Sequence, residues 1–128
     1  MTKRILVVED HEDNRRILRD LLTSTGYEMI EAVTGTKGVV MAQIHQPDLI
    51  LMDIQLPEID GYEATRRIRA DPALRSIPII AVTSFALSGD EEKARAAGCV
   101  AYVTKPFSPR QLLAKIKQHL VSADTKGT

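Results

Sequence analysis

The chain has 128 residues, of which 44% are hydrophobic and 27% charged, enough for one domain with a buried core and too few for a second. Its 17 basic and 17 acidic residues cancel, which gives neither the broad positive field of a nucleic-acid binder nor an acidic tail. Direct nucleic-acid binding is therefore not expected, and with no run of transmembrane length neither is membrane insertion.

The amino end, Met1-Thr2-Lys3-Arg4, is followed by only four strongly apolar residues before Glu9, too few for the apolar region of a signal peptide, so a cytoplasmic location is expected. The first strand pattern, 4–9, closes Ile5-Leu6-Val7-Val8 on the acid pair Glu9-Asp10. A helix over about 12–24 follows, with Asn14, Ile17, Leu18, Leu21 and Leu22 spaced as its core face, Arg15, Arg16 and Arg19 elsewhere, and Gly26 as its stop. The second strand, 27–32, ends in Glu31-Ala32-Val33 with no obvious chemistry. Its helix, about 35–45, is a weaker pattern, with Gly35 and Gly38 among Val39, Val40, Met41 and Ile44, and it ends ahead of Pro47.

The third strand, 48–53, is an apolar run closed by Asp53. The helix after it opens at Asp60-Gly61-Tyr62-Glu63, an acidic N-cap with a glutamate three positions on, and runs to about Ala70. The fourth strand, 78–83, ends in Thr83, and the short helix at about 89–97 buries little, which makes it a candidate moving part. The single cysteine, Cys99, allows no internal disulfide and reads as a buried thiol. The fifth strand, 100–103, leads to Lys105-Pro106, and the last helix starts at Ser108-Pro109-Arg110-Gln111 and buries Leu112, Ile116 and Leu120. On this reading residues 1–121 form the domain and 122–128 a frayed, flexible tail.

Alternation of strand and helix over five units implies an α/β, doubly wound, parallel five-stranded sheet with helices on both faces. Reactive residues close strands 1, 3, 4 and 5. With strand 2 at the edge, right-handed crossovers give the order 2-1-3-4-5 and bring strands 1 and 3 together at a switch point, where Glu9, Asp10 and Asp53 converge. Three carboxylates repel one another, and a divalent cation relieves the repulsion. Oxygen-only donors, with no Cys or His expected nearby, favour Mg²⁺ over zinc, with Asp10 and Asp53 as direct ligands, Glu9 acting through water and the Gln55 backbone carbonyl filling out the shell. A carboxylate can also attack phosphorus, a transfer that needs mostly positioning and charge neutralisation. Asp53 is the expected phosphoacceptor, with the Lys105 ammonium and the Thr83 hydroxyl receiving the phosphoryl oxygens. A cis peptide at Lys105-Pro106 would aim the lysine inward. His11, His45 and His119 have no ligand spacing and read as surface or packing residues.

These residues resemble the receiver domain of two-component response regulators. The motifs are Glu9-Asp10, Asp48-Leu49-Ile50-Leu51-Met52-Asp53, the Leu56-Pro57-Glu58-Ile59-Asp60-Gly61 loop, Thr83, Ala97-Gly98 and Tyr102-Val103-Thr104-Lys105-Pro106-Phe107, spread over residues 3–121. The resemblance implies a flavodoxin-like (βα)5 fold and Mg²⁺-dependent transfer of a phosphoryl group from a histidine kinase or histidine phosphotransfer protein onto Asp53. It further implies a switch in which Thr83 moves toward the phosphate and Tyr102 changes rotamer, reshaping a protein-binding surface. The Thr-x-Phe-Ala-x-x-Gly-Asp and Tyr-x-x-Lys-Pro-Phe stretches are similar to those of DivK-type stand-alone regulators. Ser84 and Val100 depart from the residues common in the family. Gln55 and Phe85, two residues past Asp53 and Thr83, occupy positions that in this family influence how water reaches the acyl phosphate, and the bulk of Phe85 is expected to slow phosphate hydrolysis. Arg15, Arg16 and Arg19 are candidates for docking the phosphodonor.

Other functions fit less well. An aspartate-nucleophile phosphatase looks like Asp-x-Asp, whereas Asp53-Ile54-Gln55 lacks the second acid, so a signalling switch rather than an enzyme is expected. A flavodoxin-like redox module would need a Ser/Thr-rich loop where Asp10-His11-Glu12-Asp13 stands, and no Gly-rich nucleotide loop exists. The remaining alternative is a degenerate receiver that binds a partner without phosphorylation.

Overall fold

The computed structural model describes residues 2–84 and 89–126, with side chains through Leu120. Strands β1 (Arg4–Val8), β2 (Glu28–Ala32), β3 (Leu49–Asp53), β4 (Ile79–Thr83) and β5 (Ala101–Thr104) alternate with helices α1 (Glu12–Ser24), α2 (Gly35–His45), α3 (Gly61–Ala70), α4 (Asp90–Ala97) and α5 (Pro109–Lys126). A single turn of 3₁₀ helix, Pro72–Leu74, lies between α3 and β4. All strand pairs are parallel, in the order 2-1-3-4-5.

Strand periodicity separates two cores. Ile5, Val7, Leu49, Leu51, Ile80, Val82, Ala101 and Val103 meet Leu18 and Leu22 of α1 and Leu112, Ile116 and Leu120 of α5 on one face. Leu6, Val8, Ile50, Met52, Ile79 and Ala81 meet Ala42, Ala64, Ile68 and Ala94 of α2, α3 and α4 on the other. Central β3 and β4 are buried along their whole length, which is why both read as unbroken apolar runs rather than alternating ones.

The helix ends follow the local sequence. The Asp60 side chain accepts from the Glu63 amide at 2.9 Å and Ser108 Oγ from the Gln111 amide at 3.4 Å. Gly26, at φ 90°, lets the chain leave α1 while the Tyr27 amide bonds back to the Leu22 carbonyl at 3.0 Å. Cys99 is buried beside Thr65, 3.8 Å from its hydroxyl.

Three features differ from the sequence reading. Ile17 is 56% exposed, not core: Leu18 and Leu22 take the face toward the sheet, and one position round the helix Ile17 instead overlooks Pro106 and Phe107. In α2 the buried positions are Gly35, Gly38 and Ala42, while Val40 and Ile44 are exposed. Its glycines are the contact face, since a Cβ on Gly38 would stand 2.8 Å from Val8 Cγ2 and one on Gly35 2.7 Å from Ile59 Cγ1. Finally, α5 continues as a backbone helix to Lys126, beyond the end expected at 121.

Candidate functional site

Parallel register brings the strand ends together. Val8 pairs with Met52, so Glu9 and Asp53 emerge side by side, and Asp53 itself pairs with Val82. Thr83 pairs with Thr104, and the Lys105 amide extends that ladder to the Thr83 carbonyl at 2.7 Å. Glu9, Asp53 and Thr83 are the buried polar or charged residues at this rim, at 2%, 4% and 1% exposure. The loop after β3 folds back tightly, with the Gly61 amide donating to the Ile54 carbonyl at 3.0 Å, which presses the start of α3 against the Asp53 backbone.

The Lys105 ammonium is shared unequally, 2.6 Å from Glu9 Oε1 and 3.4 Å from Asp53 Oδ2. The Lys105–Pro106 peptide is cis. Burial alone would push Glu9 up, but the bond from Lys105, the His11 amide and the lysine charge outweigh it and hold the carboxyl at about 2. Burial, and then the charge of Glu9, push Asp53 the other way, to about 7, against Lys105 and the Gln55 amide, which donates to Asp53 Oδ1 at 3.0 Å. Of the pair, Asp53 is therefore the member that takes up a proton as pH falls through neutrality.

A consequence for stability follows. Asp53, raised from 3.8 to about 7 on folding, holds a proton that the unfolded chain has already released, so its contribution falls as pH rises across that window. In metal-free buffer Asp53→Asn is expected to resist urea better than the wild type at about pH 8, with the gain shrinking toward zero at about pH 4. Equal denaturation midpoints of the two proteins at both pH values would contradict it.

Donor atoms of Glu9, Asp10, His11 and Asp53 all lie within 4.8 Å of one another. Asp10 Oδ1 is buried without a hydrogen-bond partner, the kind of orphaned oxygen that a cation satisfies, so the residues present fit a hard divalent ion.

Of the residues singled out in the sequence, Glu9, Asp10, Asp53, Thr83 and Lys105 are gathered at one rim. Tyr102 is elsewhere: it packs half-buried with the α2, α3 and α4 core, where burial and the nearby Asp90 and Glu91 charges push its hydroxyl up. Phe85 lies outside the described residues. Two contacts at this rim were not anticipated. The Gln55 side chain, expected to influence water access but not to bond across the sheet, donates to Thr83 Oγ1 at 2.6 Å and accepts from the Ser84 amide at 3.0 Å, tying β3 to the end of β4. His11, read as a surface or packing residue, is 68% exposed, yet its Nδ1 sits 3.3 Å from Glu9 and 3.2 Å from Asp10, so a histidine does lie beside the acids. Its place directly after the acid pair was the available signal. The arginines of α1 are also committed within the chain: Arg16 to Asp13, and Arg15 and Arg19 to Glu12 and Glu31.

The family described as response regulator receiver domain matches residues 5–117. Among curated proteins, the polar-differentiation response regulator DivK of Brucella ovis is 49% identical over 123 residues, 96% of this chain and 100% of that protein. The DivK of Brucella anthropi is 48% identical with the same coverage. Among solved structures, a CheY-like response regulator receiver domain protein from Methanospirillum hungatei superposes with a TM-score of 0.90 at 31% identity, covering 98% of this chain and 99% of that one. The receiver domain of a Pseudomonas aeruginosa sensor histidine kinase, with a magnesium ion coordinated in its active site cleft, has a TM-score of 0.87 at 39% identity, covering 94% and 98%.

Proposed function

The chain belongs to the response regulator receiver domain family, and from that premise we propose that it is a stand-alone, DivK-like switch that accepts a phosphoryl group on Asp53. The observation that carries this is the Asp53 carboxylate, 4% exposed, in one cluster with Glu9 and Asp10 and within 3.4 Å of Lys105. In the reaction an Asp53 oxygen attacks the phosphorus of a phosphohistidine donor, the O–P bond forms, the P–N bond breaks, and the imidazole leaves with a proton. Lys105 turns from Glu9 toward the incoming phosphoryl oxygens, and Thr83 donates its hydroxyl to them after release from Gln55. Asp10 and Asp53, with Glu9 through water and the Gln55 carbonyl, would hold Mg²⁺, which would supply charge neutralisation.

The added charge biases the β4 end, and Tyr102 relays the shift to the surface of α4, β5 and α5, where a downstream protein binds. Hydrolysis of the acyl phosphate resets the switch, so the chain signals and does not turn over a substrate. A cytoplasmic histidine kinase or histidine phosphotransfer protein is the donor. Beside the α1 arginines it meets an apolar seat, a cavity of about 430 Å³ lined by Ile17, Leu18, Pro106, Phe107 and Pro109 that opens beside Glu9 and Lys105. Among the described residues no helix is long and apolar enough to cross a membrane.

Incubation with a small phosphodonor, read by intact mass, tests the proposal. Wild type is expected to gain one phosphoryl group in the presence of Mg²⁺ and not in its absence, and Asp53→Asn is expected to gain none. No uptake under either condition would favour the degenerate receiver that binds partners without phosphorylation.

A further inference from the structure

The residue that follows the acid pair extends the metal chemistry of this cleft, an inference that rests on reading the cleft as a metal site. His11 is the N-cap of α1, with extended backbone at φ −91° and ψ 124°, yet its side chain makes no capping hydrogen bond. The ring turns back on the acids instead. Its Nδ1 lies 3.3 Å from Glu9 Oε2 and 3.2 Å from Asp10 Oδ1, while its backbone N–H donates to Glu9 Oε2 at 3.1 Å. The Asp10 oxygen it faces is the buried atom without a hydrogen-bond partner. Donor atoms that share one first-row ion with bonds of about 2.0–2.2 Å stand roughly 3–4 Å apart, which is the separation of these two.

We propose that His11 is a metal ligand, so that the cleft offers a mixed nitrogen and oxygen set to imidazole-binding divalent cations such as Co²⁺, Zn²⁺ or Ni²⁺. Magnesium prefers oxygen and gains little from a ring nitrogen, whereas the later first-row ions take imidazole readily. Glu9 is engaged by Lys105, so Asp10 and Asp53 are the oxygen donors that join His11 around such an ion. The ring is 68% exposed, so it can adjust to an ion without disturbing the core. The same exposure, with no capping bond to lose, means that His11→Ala keeps the fold.

Calorimetric titration of the full chain with Co²⁺ and, separately, with Mg²⁺ tests the assignment in wild type and His11→Ala. The expected result is a loss of about tenfold or more in Co²⁺ affinity on substitution, with Mg²⁺ affinity unchanged within about twofold. On adding diamagnetic Zn²⁺, a ring-nitrogen resonance that His11→Ala lacks is expected to shift, and Mg²⁺ is expected to leave it in place. Mg²⁺ binding by both proteins with equal Co²⁺ affinities would overturn the role of His11 alone. Absence of Mg²⁺ binding in both would overturn the reading of the cleft as a metal site.

Discussion

Lys105→Met is expected to lose about 3 kcal/mol of stability at pH 8 and much less at pH 5, as urea denaturation at the two values would show. The lysine is the cation placed between two carboxylates that are 2% and 4% exposed. Methionine keeps most of the stem and its packing, so the loss isolates the charge. Without the ammonium, burial and mutual repulsion act unopposed on Glu9 and Asp53, and both folded-state pKa values rise. A carboxyl raised on folding destabilises progressively as pH climbs through that window, which is why the deficit is largest in base. Wild-type Glu9 has the opposite sign. Held at about 2, it contributes stability above its unfolded value that disappears only in strong acid. Phosphate uptake by the variant is expected to fall sharply as well, because the positive partner of the phosphoryl group is gone. A variant as stable as wild type at pH 8 would mean that Lys105 does not neutralise the pair.

Gly61→Ala is expected to destabilise by about 3 kcal/mol or more and to impair phosphorylation with it. A Cβ at this position would stand 2.2 Å from the Asp53 carbonyl oxygen, 2.8 Å from Ile54 Cα and 3.0 Å from the Asp53 carbonyl carbon, all backbone atoms that cannot rotate away. Alanine favours a helix start more than glycine does, by about 1 kcal/mol at most, which is too little to offset a contact of that kind. Relief requires the start of α3 to lift from β3, and Asp53 sits on the strand that would be disturbed. Circular dichroism with urea gives the stability, and intact mass gives phosphate uptake. Unchanged values for both would contradict the close approach.

The strand order was legible because chemistry marked the strand ends. Glu9, Asp53, Thr83 and Lys105 each close an apolar run, strand 2 closes on nothing comparable, and right-handed crossovers allow few arrangements of that pattern. Features that depend on contacts between distant segments were not legible. The bond from Gln55 to Thr83 spans 28 positions, and the ion pairs that occupy Arg15 and Arg19 reach Glu31 on a neighbouring strand. Periodicity located α1 but could not say that Ile17 would overlook the loop after β5 rather than the sheet. In α2 the weak apolar pattern did not say which residues face the sheet. Close packing on Val8 and Ile59 selects for glycine, so the residues that weakened the pattern form the interface.

Borohydride reduction of the phosphorylated protein, followed by peptide mass mapping, tests the central claim most directly, because an acyl phosphate is reduced to an alcohol at the residue that carried it. The account predicts the aspartate-to-homoserine change at position 53 in the Mg²⁺-treated wild type. Modification at Glu9 or Asp10 instead, or at no carboxylate, would contradict it.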